Sequence, residues 1–166
     1  MSKKRARIRV INPNSNEAVT RNLDVALEPL RFDEGPEIVC TTLAEGPFGI
    51  ETQADVESVV MPLRRLVEAD NASDAFVIAC YSDPGLHVCR EGTARPVFGI
   101  AECGVLSALA RAARFGVIAI GQGSIAWPVS GHWECRWPKA PAEIKRCDGW
   151  SRSDLSSRMM TAPKRS

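Results

Sequence analysis

The chain has 166 residues, 45% apolar and 25% charged, with a net charge of +1. That suffices for one domain with a real core, or for one domain and part of a second, and is too apolar for a disordered chain. It has neither the basic excess of a nucleic-acid binder nor the run of about 20 apolar residues that a membrane span needs.

The basic start, Met1 to Arg7, is followed only by Ile8, Val10 and Ile11 before Asn12-Pro13, too short for the apolar stretch of a signal peptide. The expected location is therefore cytoplasmic, where the six cysteines are free thiols rather than a disulfide framework.

Up to residue 126 the organisation is regular. "RIRVIN" (7–12) reads as a strand. Asn14, with Glu17 three residues on, predicts a capping-box start for a helix carrying Val19, Leu23, Ala26 and Leu27 and ending before Pro29. "EIVCTTL" (37–43) is a second strand. The stripe of Val56, Val59, Val60, Leu63 and Leu66 predicts one long helix over 53–69 with a kink at Pro62. Strand "AFVIA" (75–79), a short helix from Pro84, strand "PVFGI" (96–100), a helix with Val105, Leu106, Leu109 and Ala113, and strand "FGVIAI" (115–120) follow. Strands alternate with helices and are continuously apolar, as in a sheet buried on both faces. The fold class is α/β, with a doubly wound, mostly parallel sheet.

From residue 127 the character changes. Residues 1–126 carry 13 Lys+Arg against 16 Asp+Glu, whereas 127–166 carry 8 against 4 and hold all four tryptophans, Trp127, Trp133, Trp137 and Trp150. Neither helical nor strand periodicity is expected in this atypical tail.

In doubly wound sheets the ligand sits at the carboxyl ends of the strands, where the strand order reverses. Three strand ends here are polar or turn-forming: "NPNSN" (12–16), "CYSDPG" (80–85) and "GQGS" (121–124), the last with Gly123 and Ser124. Together they predict a crevice for a small polar molecule. Cys80 stands where a strand hands over to a helix start, a place that favours a thiolate, with Asp83 opposing it unless its carboxylate caps the helix. An inert buried thiol fits the same position, and Cys40, Cys89 and Cys103, inside regular elements, read as packing residues.

Five stretches in order, "INPNSN" (11–16), "EGPFGIET" (45–52), "IACYSDPGL" (78–86), "GIAECGVLSAL" (99–109) and "RFGVIAI" (114–120), resemble the aspartate/glutamate/hydantoin racemase superfamily, most of all its hydantoin racemase branch. The resemblance covers residues 7–126. It implies a flavodoxin-like half of a two-lobed, cofactor-independent isomerase of amino-acid metabolism, with 1–97 as the first lobe and 98–126 as the start of the second. In such an enzyme two cysteines, one from each lobe, flank the substrate's stereocentre; one removes the proton beside a carbonyl while the other delivers one to the opposite face. The resemblance implies Cys80 as the first of them and the hydantoin or a related amino-acid derivative as the small-molecule partner. By position, Asn12 and Asn16 are candidate amide contacts, Gly46, Pro47 and Phe48 candidate walls, and the N–H groups near Tyr81 and Ser82 candidate enolate stabilisers. Asn12 to Asn16 fit turn and cap chemistry equally well. No metal, nucleic acid or membrane is implied, and a homo-oligomer is compatible with the resemblance.

The second lobe does not continue in kind, since Trp127-Pro128 follows "GQGSIA". The expectation is that the second catalytic group is missing and racemisation impaired, with 127–166 either disordered or frame-shifted. Back-translated with G/C-rich codons and offset by two nucleotides, residues 127–137 can read as a natural helical continuation; stop codons in the alternative frames soon after codon 126 would contradict this. Other readings are a non-catalytic ligand-binding remnant and a related maleate isomerase or decarboxylase. A dinucleotide-binding turn in "GVIAIGQGSIA", with Glu143 as its acidic partner, is a further alternative. "HWEC" (132–135) lacks the partner motif of a zinc deaminase.

Overall fold

The computed structural model describes residues 5–112 in full and, beyond them, the backbone of two strands at 116–119 and 143–146. The chain divides into two compact units, Met1–Ala112 and Ala113–Ser166. In the first, β1 (Arg7–Asn12) leads through α1 (Glu17–Leu27) and a single 3-10 turn (Glu28–Leu30) to β2 (Glu37–Thr42). Two helices, α2 (Gln53–Ser58) and α3 (Val60–Ala69), connect to β3 (Ala75–Ile78), and α4 (Leu86–Gly92) connects to β4 (Val97–Gly99) and α5 (Ile100–Arg111).

All four strands are parallel, in the order β2-β1-β3-β4. The chain steps from β1 to one side, then crosses to the other, so the order reverses between β1 and β3. Side by side in this register stand Ile11 and Ile78, which places Asn12 and Ala79 together at the carboxyl edge. This is the α/β architecture that the alternation of apolar runs implies.

Strand alternation sorts the side chains onto two faces. On one, Ile11, Phe76, Ile78 and Val97 pack with Leu63 and Val67 of α3 and Leu86 and Cys89 of α4 into the main core. Phe76, Leu63, Ile11 and Ile78 are fully buried, and each such side chain stabilises the fold by roughly 1.5–3 kcal/mol. On the other face α1 lies over β1 and β2, with Thr20 hydrogen-bonding to both Thr42 and Asn12. Burial is unequal: Val77 is only half-buried and Phe98 is 45% exposed on that second face, so the two-sided burial expected from the apolar strands holds fully for one face only.

Three local expectations are corrected. The helix over 53–69 is two helices that break at Val59, and Pro62 lies in the first turn of α3. The proline ring would clash with the carbonyl four residues back, that of Ser58, so the helix ends there and restarts where no N–H is required of Pro62. The first helix is capped by Asn16 rather than Asn14. The helix after the third strand begins at Leu86, with Pro84 buried in the preceding turn.

The amino edge of the sheet is closed by Asp70, which follows α3 and is only 8% exposed. Its carboxylate accepts from the N–H groups of Ala72 (2.7 Å) and Ser73 (2.9 Å), from the Ser73 hydroxyl (2.6 Å) and from Arg9 of β1 (2.8 Å). Arg95 stacks over Phe76, 4.8 Å from the ring centre, and donates to the carbonyls of Val67 (3.0 Å) and Ser73 (2.9 Å).

In the second unit β5 (Gly116–Ala119) and β6 (Glu143–Arg146) form a parallel pair. Within the stretch 127–166, expected to lack regular structure, residues 143–146 are thus a strand, its backbone paired with β5. Glu143 opens β6 at its amino end, opposite Gly116. A dinucleotide's ribose lies beyond the carboxyl ends of the strands, so Glu143 is misplaced for the acidic role in that motif.

Candidate active site

Three loops leave the carboxyl edge of the first sheet, and hydrogen bonds join two of them into one body. Asn12, fully buried at the end of β1, directs its amide nitrogen at Asn14 Oδ1 (2.8 Å), the Asn16 carbonyl (3.1 Å) and Thr20 Oγ1 (3.1 Å). Its side-chain Oδ1 accepts from the Asn14 N–H at 3.3 Å. Asn16 Oδ1 accepts from the Ala18 N–H at 3.0 Å and caps α1. Both side chains are therefore engaged within the protein, in the turn and cap chemistry that the sequence leaves open.

Asn14 behaves differently. Its Oδ1 is used by Asn12 and by the Asn16 N–H (3.0 Å), which fixes the orientation of the amide, and its nitrogen has no acceptor among the described residues. The sequence signal, asparagine at three alternate positions after a strand, singles out the loop but not which member keeps a free donor.

The loop after β2 rests on this turn. Leu43 N–H donates to the Asn12 carbonyl (2.9 Å) and Ser15 N–H to the Pro47 carbonyl (2.9 Å). A Cβ on Gly46 would overlap the Pro13 carbonyl, so only glycine permits this approach. Gly46→Ala is expected to destabilise the chain by about 1–3 kcal/mol, read as a lower Tm in thermal unfolding; an unchanged Tm would contradict so close an approach. Phe48 stands 75% exposed beyond the half-buried Pro47.

The third loop carries the thiol. Ala79 N–H still pairs with the Ile11 carbonyl (2.8 Å), and Cys80, half-buried, is the second residue beyond β3. Its Sγ lies 3.2 Å from Ser82 Oγ. The turn closes as Asp83 N–H donates to the Cys80 carbonyl at 2.9 Å, with Asp83 at φ 43° and Gly85 at φ 65° in the left-handed region. The N–H groups of Tyr81 and Ser82 have no acceptor among the described residues. Tyr81 is 42% exposed, and burial, then the Asp83 charge, raises its hydroxyl pKa.

Asp83 caps a helix, but a distant one: it accepts from the N–H groups of Ala101 (3.0 Å) and Glu102 (2.7 Å) at the start of α5. Burial raises its pKa above the ordinary carboxylate value, opposed by those same N–H groups. Of the other described thiols, Cys89 is a core residue, with burial pushing its pKa up to about 11, and Cys40 is half-buried. Cys103 is exposed rather than packed, because no residue of α5 is buried among the described residues. Gly123 and Ser124 lie outside the described residues.

The edge thus brings together a half-buried thiol and, unpaired among the described residues, two backbone N–H groups and one amide nitrogen of the loop body. The sequence profile of one family, Asp/Glu/Hydantoin racemase, matches residues 8–132. The chain belongs to this family.

The chain is 39% identical over 118 residues to the hydantoin racemase of Pseudomonas sp. (strain NS671), an alignment covering 69% of this chain and 46% of the relative. It is 38% identical to the hydantoin racemase of Paenarthrobacter aurescens, over 69% of this chain and 49% of that one. The allantoin racemase of Klebsiella pneumoniae superposes with a TM-score of 0.74 at 30% identity, over 84% of this chain and 58% of that one. The chain spans about half the length of the curated relatives it matches.

Proposed function

We propose that this chain carries one proton-transfer arm of a cofactor-independent racemase acting on hydantoins or related cyclic ureides, with Cys80 as its acid-base group. The observation that carries the reading is the placement of Cys80 beside the unpaired Tyr81 and Ser82 N–H groups, on the edge where the sheet order reverses. The family membership and the hydantoin and allantoin racemases among its relatives support the substrate class.

The chemistry follows from the ring. In a 5-substituted hydantoin the C5 proton lies next to a carbonyl, so its removal by a thiolate leaves the C–H electron pair delocalised onto the carbonyl oxygen. That oxygen then carries the developing charge, and backbone N–H groups already in place stabilise it without reorganisation. Tyr81 and Ser82 would supply these donors, Asn14 an amide donor to the ring, and Phe48 and Pro47 an apolar wall for the 5-substituent. Inversion needs a second group that protonates the carbanion from the opposite face; the family resemblance assigns that role to another cysteine.

Protection of the thiol tests the reading. Millimolar 5-substituted hydantoin or allantoin is expected to slow iodoacetamide labelling of Cys80 severalfold, measured on the Cys80 peptide by mass spectrometry, with labelling of the exposed Cys103 unchanged. Equal labelling of Cys80 with and without these compounds would count against the proposed substrate class.

A further inference from the structure

The turn that presents Cys80 is held from outside its own loop. Asp83 uses its N–H to close the turn on the Cys80 carbonyl (2.9 Å), while its two carboxylate oxygens accept from Ala101 (3.0 Å) and Glu102 (2.7 Å) in the first turn of α5. One residue therefore ties the thiol's turn to a helix 18 positions further along the chain. The space for this tie is made by Gly99, at the end of β4, where a Cβ would overlap the Asp83 carboxylate. Arg90 of α4 reinforces the same corner, donating to the Val97 carbonyl (3.0 Å) and to Glu102 (3.2 Å).

The arrangement is costly in isolation. Asp83 adopts φ 43°, a left-handed conformation that Asp and Asn take more readily than other non-glycine residues, and it is half-buried. Two backbone N–H groups at a helix start offset part of that cost and supply the carboxylate's hydrogen bonds. The same residue thus closes the turn that carries the thiol through its N–H and caps α5 through its carboxylate, so a shift of either end moves the other. We propose that Asp83 is a positioning residue for Cys80, fixing the direction in which the Cys80–Ser82 turn presents its thiol and free N–H groups by anchoring it to α5. This rests on the role proposed above for Cys80.

The test reads thiol reactivity as a function of pH in the full 166-residue chain. Iodoacetamide labelling is followed separately at Cys80 and at the core thiol Cys89, which reports opening of the whole fold. Asp83→Ala is expected to raise the limiting, high-pH labelling rate of Cys80 at least threefold, with Cys89 unchanged. Gly99→Ala, which displaces the carboxylate while keeping Asp83, is expected to act in the same direction. Asp83→Asn keeps one of the two acceptor oxygens and tolerates the left-handed backbone, so its limiting rate is expected to lie between those of the parent and Asp83→Ala.

A variant set in which only the pH midpoint moves would overturn the proposal and reduce Asp83 to a nearby charge. Parallel increases at Cys80 and Cys89 would overturn it too, by making the effect a general loosening. Proton exchange on a hydantoin is measured apart from this; its absence in the parent chain would defeat the function proposed for Cys80 and leave the labelling result on Asp83 standing.

Discussion

Replacing Cys80 by alanine is expected to lower chain-dependent exchange of the C5 proton of a 5-substituted hydantoin by at least a hundredfold. A positioned acid-base group contributes typically 10²- to 10⁴-fold, and the alanine methyl can neither take nor return a proton. Cys80 is half-buried outside the core cluster, so the variant is expected to melt within a few degrees of the parent. Cys80→Ser separates chemistry from packing: the hydroxyl can keep the contact with Ser82 but is far too weak an acid to form the required anion. Cys103→Ala, which alters an exposed thiol, should leave exchange intact. The measurement is loss of the C5 proton signal in deuterated buffer by NMR, corrected for the spontaneous rate. Equal exchange by the parent chain and Cys80→Ala would remove Cys80 from the mechanism.

The largest effect on stability is expected at the opposite edge of the sheet. Asp70→Asn leaves Arg9, the Ser73 hydroxyl and two loop N–H groups facing a neutral amide that can accept only at one atom. Removing one partner of a mostly buried ion pair costs about 3 kcal/mol or more, which corresponds to a fall in Tm of roughly 10 °C. The pH dependence has a definite sign. Burial alone would raise the Asp70 pKa, but the Ser73 hydroxyl and N–H, the Ala72 N–H and Arg9 outweigh it and hold the carboxyl well below its ordinary value of 3.8. A group with a depressed folded-state pKa stabilises the fold above its unfolded pKa, and the contribution is lost as pH falls below that value. The parent should therefore lose stability steeply below about pH 4, whereas Asp70→Asn should show a shallower decline there. Parallel pH profiles for the two proteins would contradict this account.

The sheet was legible because its strands are short apolar runs closed by turn residues: "RIRVIN" coincides with β1, and "EIVCTTL" overruns β2 by one residue. The position of Cys80 followed from the same logic, an apolar run stopped by Ser-Asp-Pro-Gly. What the sequence did not disclose are interactions between residues far apart in the chain. Nothing near Asp83 announces that its partners are Ala101 and Glu102, and nothing near Asp70 points to Arg9, 61 positions away. The break at Val59 was hidden because an apolar stripe runs straight through it, although the Pro62 clash with the Ser58 carbonyl could have placed it. Among the three asparagines after β1, alternation marked the loop, but only the hydrogen bonds separate the buried Asn12 and the capping Asn16 from Asn14 with its free nitrogen. Tyr81 and Ser82 were singled out for their N–H groups, and those groups have no acceptor among the described residues.

The central claim is that Cys80 works on the proton of a cyclic ureide from one face. The most direct measurement is deuterium incorporation at C5, taken separately on the two enantiomers of a 5-alkyl hydantoin incubated with the purified chain. One enantiomer should exchange well above the buffer rate and the other much more slowly, because Cys80 reaches the ring from one face. Exchange at the buffer rate for both enantiomers would contradict the account.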